Sequence, residues 1–172
     1  MTDANFWVEK PEFWKAKLNN NEVYARQRME VRKDLFDIAS QKRAKTFADI
    51  GGYDGRMGMG KVYDIHSGFD LTQDWEKQKF KSVDICFTSL TLICFPPEHV
   101  RHILYQMYKH TRIGIYLFEE QMNPEKHSHE QKISDEYGGK WAYDWGRMFP
   151  EAQFNVSEVN DRWIKIWKPL RK

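Results

Sequence analysis

Hydrophobic and polar positions along the chain alternate between a helical and a strand period. Residues 22–40 contain neither Pro nor Gly and place Tyr24, Val31, Leu35 and Ile38 at helical spacing, which predicts an amphipathic helix. Upstream, Phe6, Trp7, Phe13 and Trp14 form an aromatic arm that either caps the core or closes over a ligand as a lid. Residues 46–50 read as a short buried strand running into Gly51-Gly52-Tyr53-Asp54-Gly55, where the backbone must bend tightly or approach something closely. Residues 61–65 form a second strand. The twelve steps from Ile50 to Val62 barely meet the minimum for a parallel crossover, so a helix between them must be very short. Phe69-Asp70-Leu71 is a third strand candidate. It follows Ile65 too closely to return in parallel, so the sheet is expected to lack an edge strand and its helix.

Residues 82–92 (SVDICFTSLTL) are a continuous apolar run, β-branched at its start, as in a central parallel strand buried on both faces. Pro96-Pro97 closes the next loop, with Pro97 suited to a first helical position. Val100, Ile103, Leu104 and Met107 then share one helical face. Residues 112–118 are the next strand, ended by Glu119-Glu120, and residues 152–159 and 163–167 flank an Asn160-Asp161 turn as an antiparallel hairpin. This order predicts an α/β fold: a doubly wound, mostly parallel sheet with an antiparallel C-terminal hairpin. With no repeat or linker, residues 1–172 are expected to form one domain, a helical and aromatic arm over 1–43 and a Rossmann-like core over 44–172.

Composition narrows the class. A 41% hydrophobic content with seven Trp excludes a disordered or collagen-like chain. Lys and Arg total 27 against 25 Asp and Glu, a net +2, so no global field recruits a polyanion; nucleic acid is unsupported as a partner but left open. No apolar run approaches a membrane span, and Met1-Thr2-Asp3-Ala4-Asn5 has no signal profile, so a soluble cytoplasmic protein without membrane contact is expected. Cys86 and Cys94, in the most apolar stretch, read as buried reduced thiols.

The candidate chemistry sits at strand ends. In an open parallel sheet, ligands bind beyond the carboxyl ends of the strands where the strand order reverses. Asp49 precedes the glycine turn, Asp64 lies near the end of the second strand, Asp70 follows it, and Glu119 ends the strand before the last hairpin. A carboxylate after the second strand suits the paired hydroxyls of a ribose, and glycines in the first loop let backbone approach a ligand, which implies a nucleoside-containing cofactor. A Gly-x-Gly-x-x-Gly fingerprint and a Walker-type Gly-Lys-Ser/Thr are both absent, which disfavours a nicotinamide-dependent reductase and phosphate cradling.

Asp49-Ile50-Gly51-Gly52-Tyr53-Asp54-Gly55-Arg56 resembles the first motif of the class I S-adenosylmethionine-dependent methyltransferases, acid-x-Gly-x-Gly-x-Gly. Asp49, Gly51 and Gly55 match, and Tyr53 replaces the middle glycine. Asp64 falls where the family's ribose-binding acid lies, Asp70-Leu71 resembles the step beside adenine, and residues 84–92 with Phe95-Pro96-Pro97 resemble its fourth motif. The C-terminal hairpin is similar to the family's reversed final strand. The resemblance covers residues 46–119 and 152–168 and implies a short member with a trimmed middle region. It implies S-adenosylmethionine as cofactor, with Asp49, Gly51, Gly52, Tyr53 and Gly55 around its methionine part and Asp64 on the ribose. Asp70 and Leu71 would then stand beside adenine, with Ser89, Leu90, Thr91 and Leu92 on the opposite wall; a buried strand end is the alternative reading of those four. Asp49 and Asp70 have bland alternatives as turn caps.

Methyl transfer requires nucleophile and methyl to be held in line in a site that excludes water. The candidate acid–base groups are Glu119, His127, Tyr143 and Asp144, with Glu120 and His129 nearby. The aromatic segment 135–145 resembles the family's variable insertion that often faces the acceptor; a packed surface helix is the alternative. His127 and His129 lack a defined third ligand, and no metal is expected. The motif that marks many base-methylating enzymes is missing at Ser89-Leu90-Thr91-Leu92, so a small-molecule acceptor is favoured. A catalytically inactive cofactor-binding or interaction module on the same scaffold is the competing expectation.

Overall fold

The computed structural model describes residues 22–53, 55, 57–135, 139–148, 156–159 and 163–169. In chain order these form α1 (Glu22–Lys42), β1 (Phe47–Ile50), β2 (Lys61–Tyr63), β3 (Val83–Ser89), α2 (Pro97–Lys109), β4 (Thr111–Phe118), β5 (Gln131–Ser134), β6 (Lys140–Ala142), α3 (Trp145–Met148), β7 (Val156–Val159) and β8 (Trp163–Trp167). The main sheet has six strands in the order β2-β1-β3-β4-β8-β7, while β5 and β6 form a separate hairpin. β2, β1, β3 and β4 are mutually parallel; β8 runs antiparallel to both β4 and β7. The expected fold class is the one observed.

Strand alternation explains how both faces of the sheet are buried. Ile85 and Phe87 of β3, with Tyr116 and Phe118 of β4, pack against Val31, Leu35 and Ile38 of α1. The Tyr116 hydroxyl donates to Asp34 at 3.0 Å, pinning that helix to the sheet centre. Cys86, Ile115, Leu117, Ile164 and Ile166 face the other way, onto Val100, Ile103, Leu104 and Met107 of α2. Tyr24 of the expected α1 stripe is only half-buried.

Strand entrances are held by Asp84, which accepts from the Lys45 and Thr46 amides at 2.7 and 2.9 Å and from Arg112 Nε at 2.8 Å. Burial alone would raise its pKa, but these hydrogen bonds outweigh burial and hold the carboxyl at about 2.

Three sequence expectations need correction. Phe69-Asp70-Leu71 is not a strand: Asp70 Oδ1 accepts from both the amide and the hydroxyl of Thr72, at 2.9 and 2.7 Å, which turns the chain at once. The flanking Phe69 and Leu71 are buried in a cluster with Tyr63, Trp75 and Phe80. No short helix lies among the described residues between β1 and β2; tight turns make the crossover. Segment 135–145 is neither a packed helix nor a loop throughout, since its described part supplies β6 and the start of α3. The aromatic arm, the Asn160-Asp161 turn and residues 152–155 lie outside the described residues.

β2 is an edge strand, as the short spacing after it requires, and the aromatic cluster packs beside it. Trp75 is fully buried there, its indole N–H donating to the Leu71 carbonyl at 3.0 Å, and its ring lies 4.8 Å from that of Phe80. Trp75→Ala is therefore expected to cost about 3–5 kcal/mol in urea unfolding, against less than about 0.5 kcal/mol for Phe36→Ala on the exposed side of α1. Equal losses would mean that the aromatic cluster stands outside the cooperative core.

Candidate functional site at the carboxyl edge of the sheet

The chain leaves β1 to pair β2 on one side, while β3 pairs on the other, so the crevice beyond the carboxyl ends of β1 and β3 is the switch point of the sheet. Gly51 opens the turn there with φ +72°, its amide donating to the Tyr63 carbonyl at 2.8 Å. A Cβ on Gly51 would lie 2.1 Å from Cγ2 of Thr91, so only glycine lets the turn rest on the loop after β3. Gly52 has the same constraint toward Asp49, whose carboxyl carbon would be 2.3 Å from an added Cβ. Tyr53 replaces the middle glycine at φ +52°, a strained conformation for a side chain of its size, and its ring meets His66 edge-on at 4.5 Å. Gly55 is also left-handed, at φ +75°.

Asp49 and Asp64 bracket this turn. Asp49, near the end of β1, is 2% exposed. Burial, reinforced by the negative charge of Asp64, pushes its pKa up to about 7. Among the described residues neither acid forms an ion pair. Asp64 follows β2 and caps the turn of Ile65–Ser67: its Oδ1 accepts from the His66 amide at 2.9 Å, and the Ser67 hydroxyl accepts from the Asp64 amide at 3.0 Å. Its Oδ2 reaches back to the Tyr53 amide at 3.3 Å, joining β2 to the glycine turn.

The opposite wall is built from β3 and β4. Ser89 ends β3, and Leu90, at φ +55°, donates its amide to the Phe118 carbonyl at 2.8 Å. Thr91 donates from its hydroxyl to the Gly51 carbonyl at 3.3 Å. Glu119, 2% exposed, accepts from the Thr91, Leu92 and Ile93 amides at 3.0 to 3.4 Å. Burial raises its pKa to about 7 against the lowering effect of those donors.

The site residues named from the sequence thus fall into separate groups. Asp49, Gly51, Gly52, Tyr53, Gly55, Asp64, Ser89 and Leu90 surround the switch point. Asp70 is turned to Thr72, and Leu71 is buried with the aromatic cluster. Glu119 faces the amides of the 91–93 turn. Tyr143 is fully buried and donates to the Phe95 carbonyl at 2.6 Å; burial keeps its hydroxyl protonated. Asp144 accepts from the Gly146 amide and pairs with Arg147 at 3.1 Å. His127 lines an open cleft of about 260 Å³ between the segment after β4 and the β5–β6 hairpin. Sequence reasoning passed over His66 and placed Thr91 only as part of the 89–92 wall. The Asp64-x-x-Ser67 capping-box spacing was a signal for the turn that places His66, whereas nothing local marks the contact of Thr91 with Gly51, forty positions away.

Parallel strands flanking a glycine turn, acids at the ends of β1 and β2, and a reversed β8 together define the class I S-adenosylmethionine-dependent methyltransferase fold. Known structures agree. Magnesium protoporphyrin IX methyltransferase of Synechocystis with bound SAH aligns over 95% of this chain and 97% of its own, with a TM-score of 0.61 at 8% identity. The mitomycin 7-O-methyltransferase MmcR aligns with 95% of this chain and 60% of its own (TM-score 0.60, 14% identity). The sugar N-methyltransferase KedS8 of a Streptoalloteichus species aligns with 91% and 92% (TM-score 0.57, 6% identity). The likeness is one of fold; no family model and no curated protein sequence matches the chain.

Two expectations follow from the carboxylates. Unfolded Asp49 titrates near 3.8 and folded Asp49 near 7, so the native state holds the extra proton between them and loses stability as pH rises through that window. Asp49→Asn should match the parent at pH 4 and exceed its stability by about 2–4 kcal/mol at pH 8; a gain that is the same at both pH values would refute the assignment. Glu119→Ala leaves the buried Leu92 and Ile93 amides and the part-buried Thr91 amide without their acceptor. It is expected to cost about 2–4 kcal/mol and to speed amide exchange at Thr91, Leu92 and Ile93 above that of neighbouring Ile103.

Proposed function

We propose that the chain is an S-adenosylmethionine-dependent methyltransferase acting on a small molecule. The observation that carries this reading is the pair Asp49 and Asp64, two carboxylates bracketing a left-handed glycine turn at the switch point with no described cation beside them. Such a crevice suits a ligand that is cationic at one end and carries ribose hydroxyls at the other. The Asp64 carboxylate accepts from the Tyr53 and His66 amides and takes part in a capping box with Ser67; of its roughly four acceptor positions, capacity remains for a ribose hydroxyl. The fold likeness to methyltransferases, one of them with bound SAH, supports the same cofactor.

On this reading Asp49, Gly51, Gly52, Tyr53 and Gly55 hold the methionine part. Asp64 holds the ribose, and Ser89 and Leu90 close the opposite wall. S-adenosylmethionine, when bound, supplies an electrophilic methyl group on a sulfonium. The chain supplies positioning: Glu119 fixes the 91–93 turn, and Thr91 fixes that turn to Gly51. Of Glu119, His127, Tyr143 and Asp144, the first, third and fourth are occupied by local hydrogen bonds, which leaves His127 as the group to take a proton from a hydroxyl or ammonium acceptor. No described helix is long and apolar enough to cross a membrane. The two free buried thiols, Cys86 and Cys94, suit a reducing cytoplasm.

Calorimetry with S-adenosylhomocysteine should show binding that weakens at least about tenfold in Asp64→Ala. No binding, or binding indifferent to Asp64, would sink the proposal. Binding without release of labelled methyl to any member of an acceptor panel would return the chain to a non-catalytic cofactor-binding module.

A further inference from the structure

The cleft beside β6 has a composition of its own. Glu120 follows Glu119 directly, so the cleft begins one residue from the carboxylate that fixes the 91–93 turn, and that turn in turn touches Gly51. At about 260 Å³ it lies just below the usual range for small-molecule sites, roughly 300–1,000 Å³, which suits a molecule of one ring.

Its polar groups are almost all donors. Lys126, His127 and Lys140 line it against a single acid, Glu120, which Lys140 already engages at 2.7 Å. Lys126 forms no ion pair among the described residues. Gln121 spends its side-chain oxygen on the Trp145 amide at 3.3 Å, and Asn123 spends its own on the Glu125 amide at 2.9 Å. What each amide has left is its NH₂, a donor. Trp141 adds an aromatic wall. The Lys126 ammonium would repel a cationic ligand, and a neutral one would gain no charge-assisted bond from it; an anion gains that bond and the amide N–H groups beside it.

We infer that this cleft binds the methyl acceptor, and that the acceptor is a single aromatic ring bearing a carboxylate or similar anionic group. The inference rests on the methyltransferase reading above. Lys126 and the two amide NH₂ groups hold the anion, the ring lies along Trp141, and His127 faces the remaining polar group of the ring. Lys126, Gln121, Asn123 and Trp141 are specificity-determining residues in this assignment.

The test titrates 3,4-dihydroxybenzoate, catechol and dopamine, which share a ring and differ in charge, into the protein labelled at its indole nitrogens. The Trp141 resonance is assigned by its loss in Trp141→Phe. The acid is expected to shift that resonance and to bind at least about tenfold more tightly than catechol, with dopamine weakest. Lys126→Ala, an exposed substitution, should bring the acid down to the level of catechol. Equal affinity for acid and catechol, or a preference that survives Lys126→Ala, overturns the inference. Titration of S-adenosylhomocysteine into the same samples separates the two readings. If it binds while the acid shows no preference, the acceptor class is wrong and the proposed function stands. If the acid binds at Trp141 while S-adenosylhomocysteine does not, the anion site stands and its role in methyl transfer is overturned.

Discussion

Asp49 and Asp64 sit at the carboxyl ends of neighbouring parallel strands, and the arrangement of the candidate site follows from their closeness. Register fixes it: Asp49 pairs with Val62, so Asp64 emerges two residues further along the adjacent strand, at the same edge. One carboxyl is stripped of water and the other repels it, which is why Asp49 holds its proton up to about pH 7. A cationic ligand would convert the same repulsion into binding free energy, because it favours the ionised form of both acids.

A site built on a ten-residue crossover without a helix needs rigidity from elsewhere, and hydrogen bonds across the strand ends supply it. The Gly51 amide is tied to β2 through the Tyr63 carbonyl, and the Gly51 carbonyl is tied to Thr91. Thr91 belongs to the turn whose amides converge on Glu119. Each bond joins segments distant in the chain, so the glycine turn, the loop after β3 and the end of β4 form one unit. Glu119, a plausible base on type alone, is in this context a positioning residue: its acceptor positions are directed at backbone amides, and its raised pKa reflects burial. Held this way, a binding crevice is preorganised before any ligand arrives.

The extent to which this was readable from the sequence divides along local and non-local lines. α1, β1, β3, α2 and β4 follow from apolar periodicity, and the buried double face of β3 shows as an uninterrupted apolar run. Asp49, Gly51 and Asp64 were legible because strand-end position is a property of a short segment. Phe69-Asp70-Leu71 misled because its alternation is that of a strand, while the Asp70–Thr72 hydrogen bonds and the aromatic cluster that bend it come from side-chain chemistry that periodicity ignores. The bond from Thr91 to Gly51 was missed for a different reason: its partner lies forty positions away in sequence. Tyr143 and Asp144 were named for their residue types, and only the fold shows that a carbonyl and a helix start already engage them.

The trimmed side of the sheet bears on how the two ends of a ligand would be treated. With β2 at the edge, the cluster of Tyr63, Phe69, Trp75 and Phe80 packs beside it. The wall on that side must then come from residues 64–72, whose path is set by the Asp64 capping box and the Asp70 turn instead of by strand pairing. Phe69 and Leu71 of this segment are buried in the same cluster, so packing as well as local hydrogen bonds holds the wall in place. On the other side, the segment after β4 is bound to the β5–β6 hairpin through the Met122 amide and the Tyr143 carbonyl, and to α3 through Trp145.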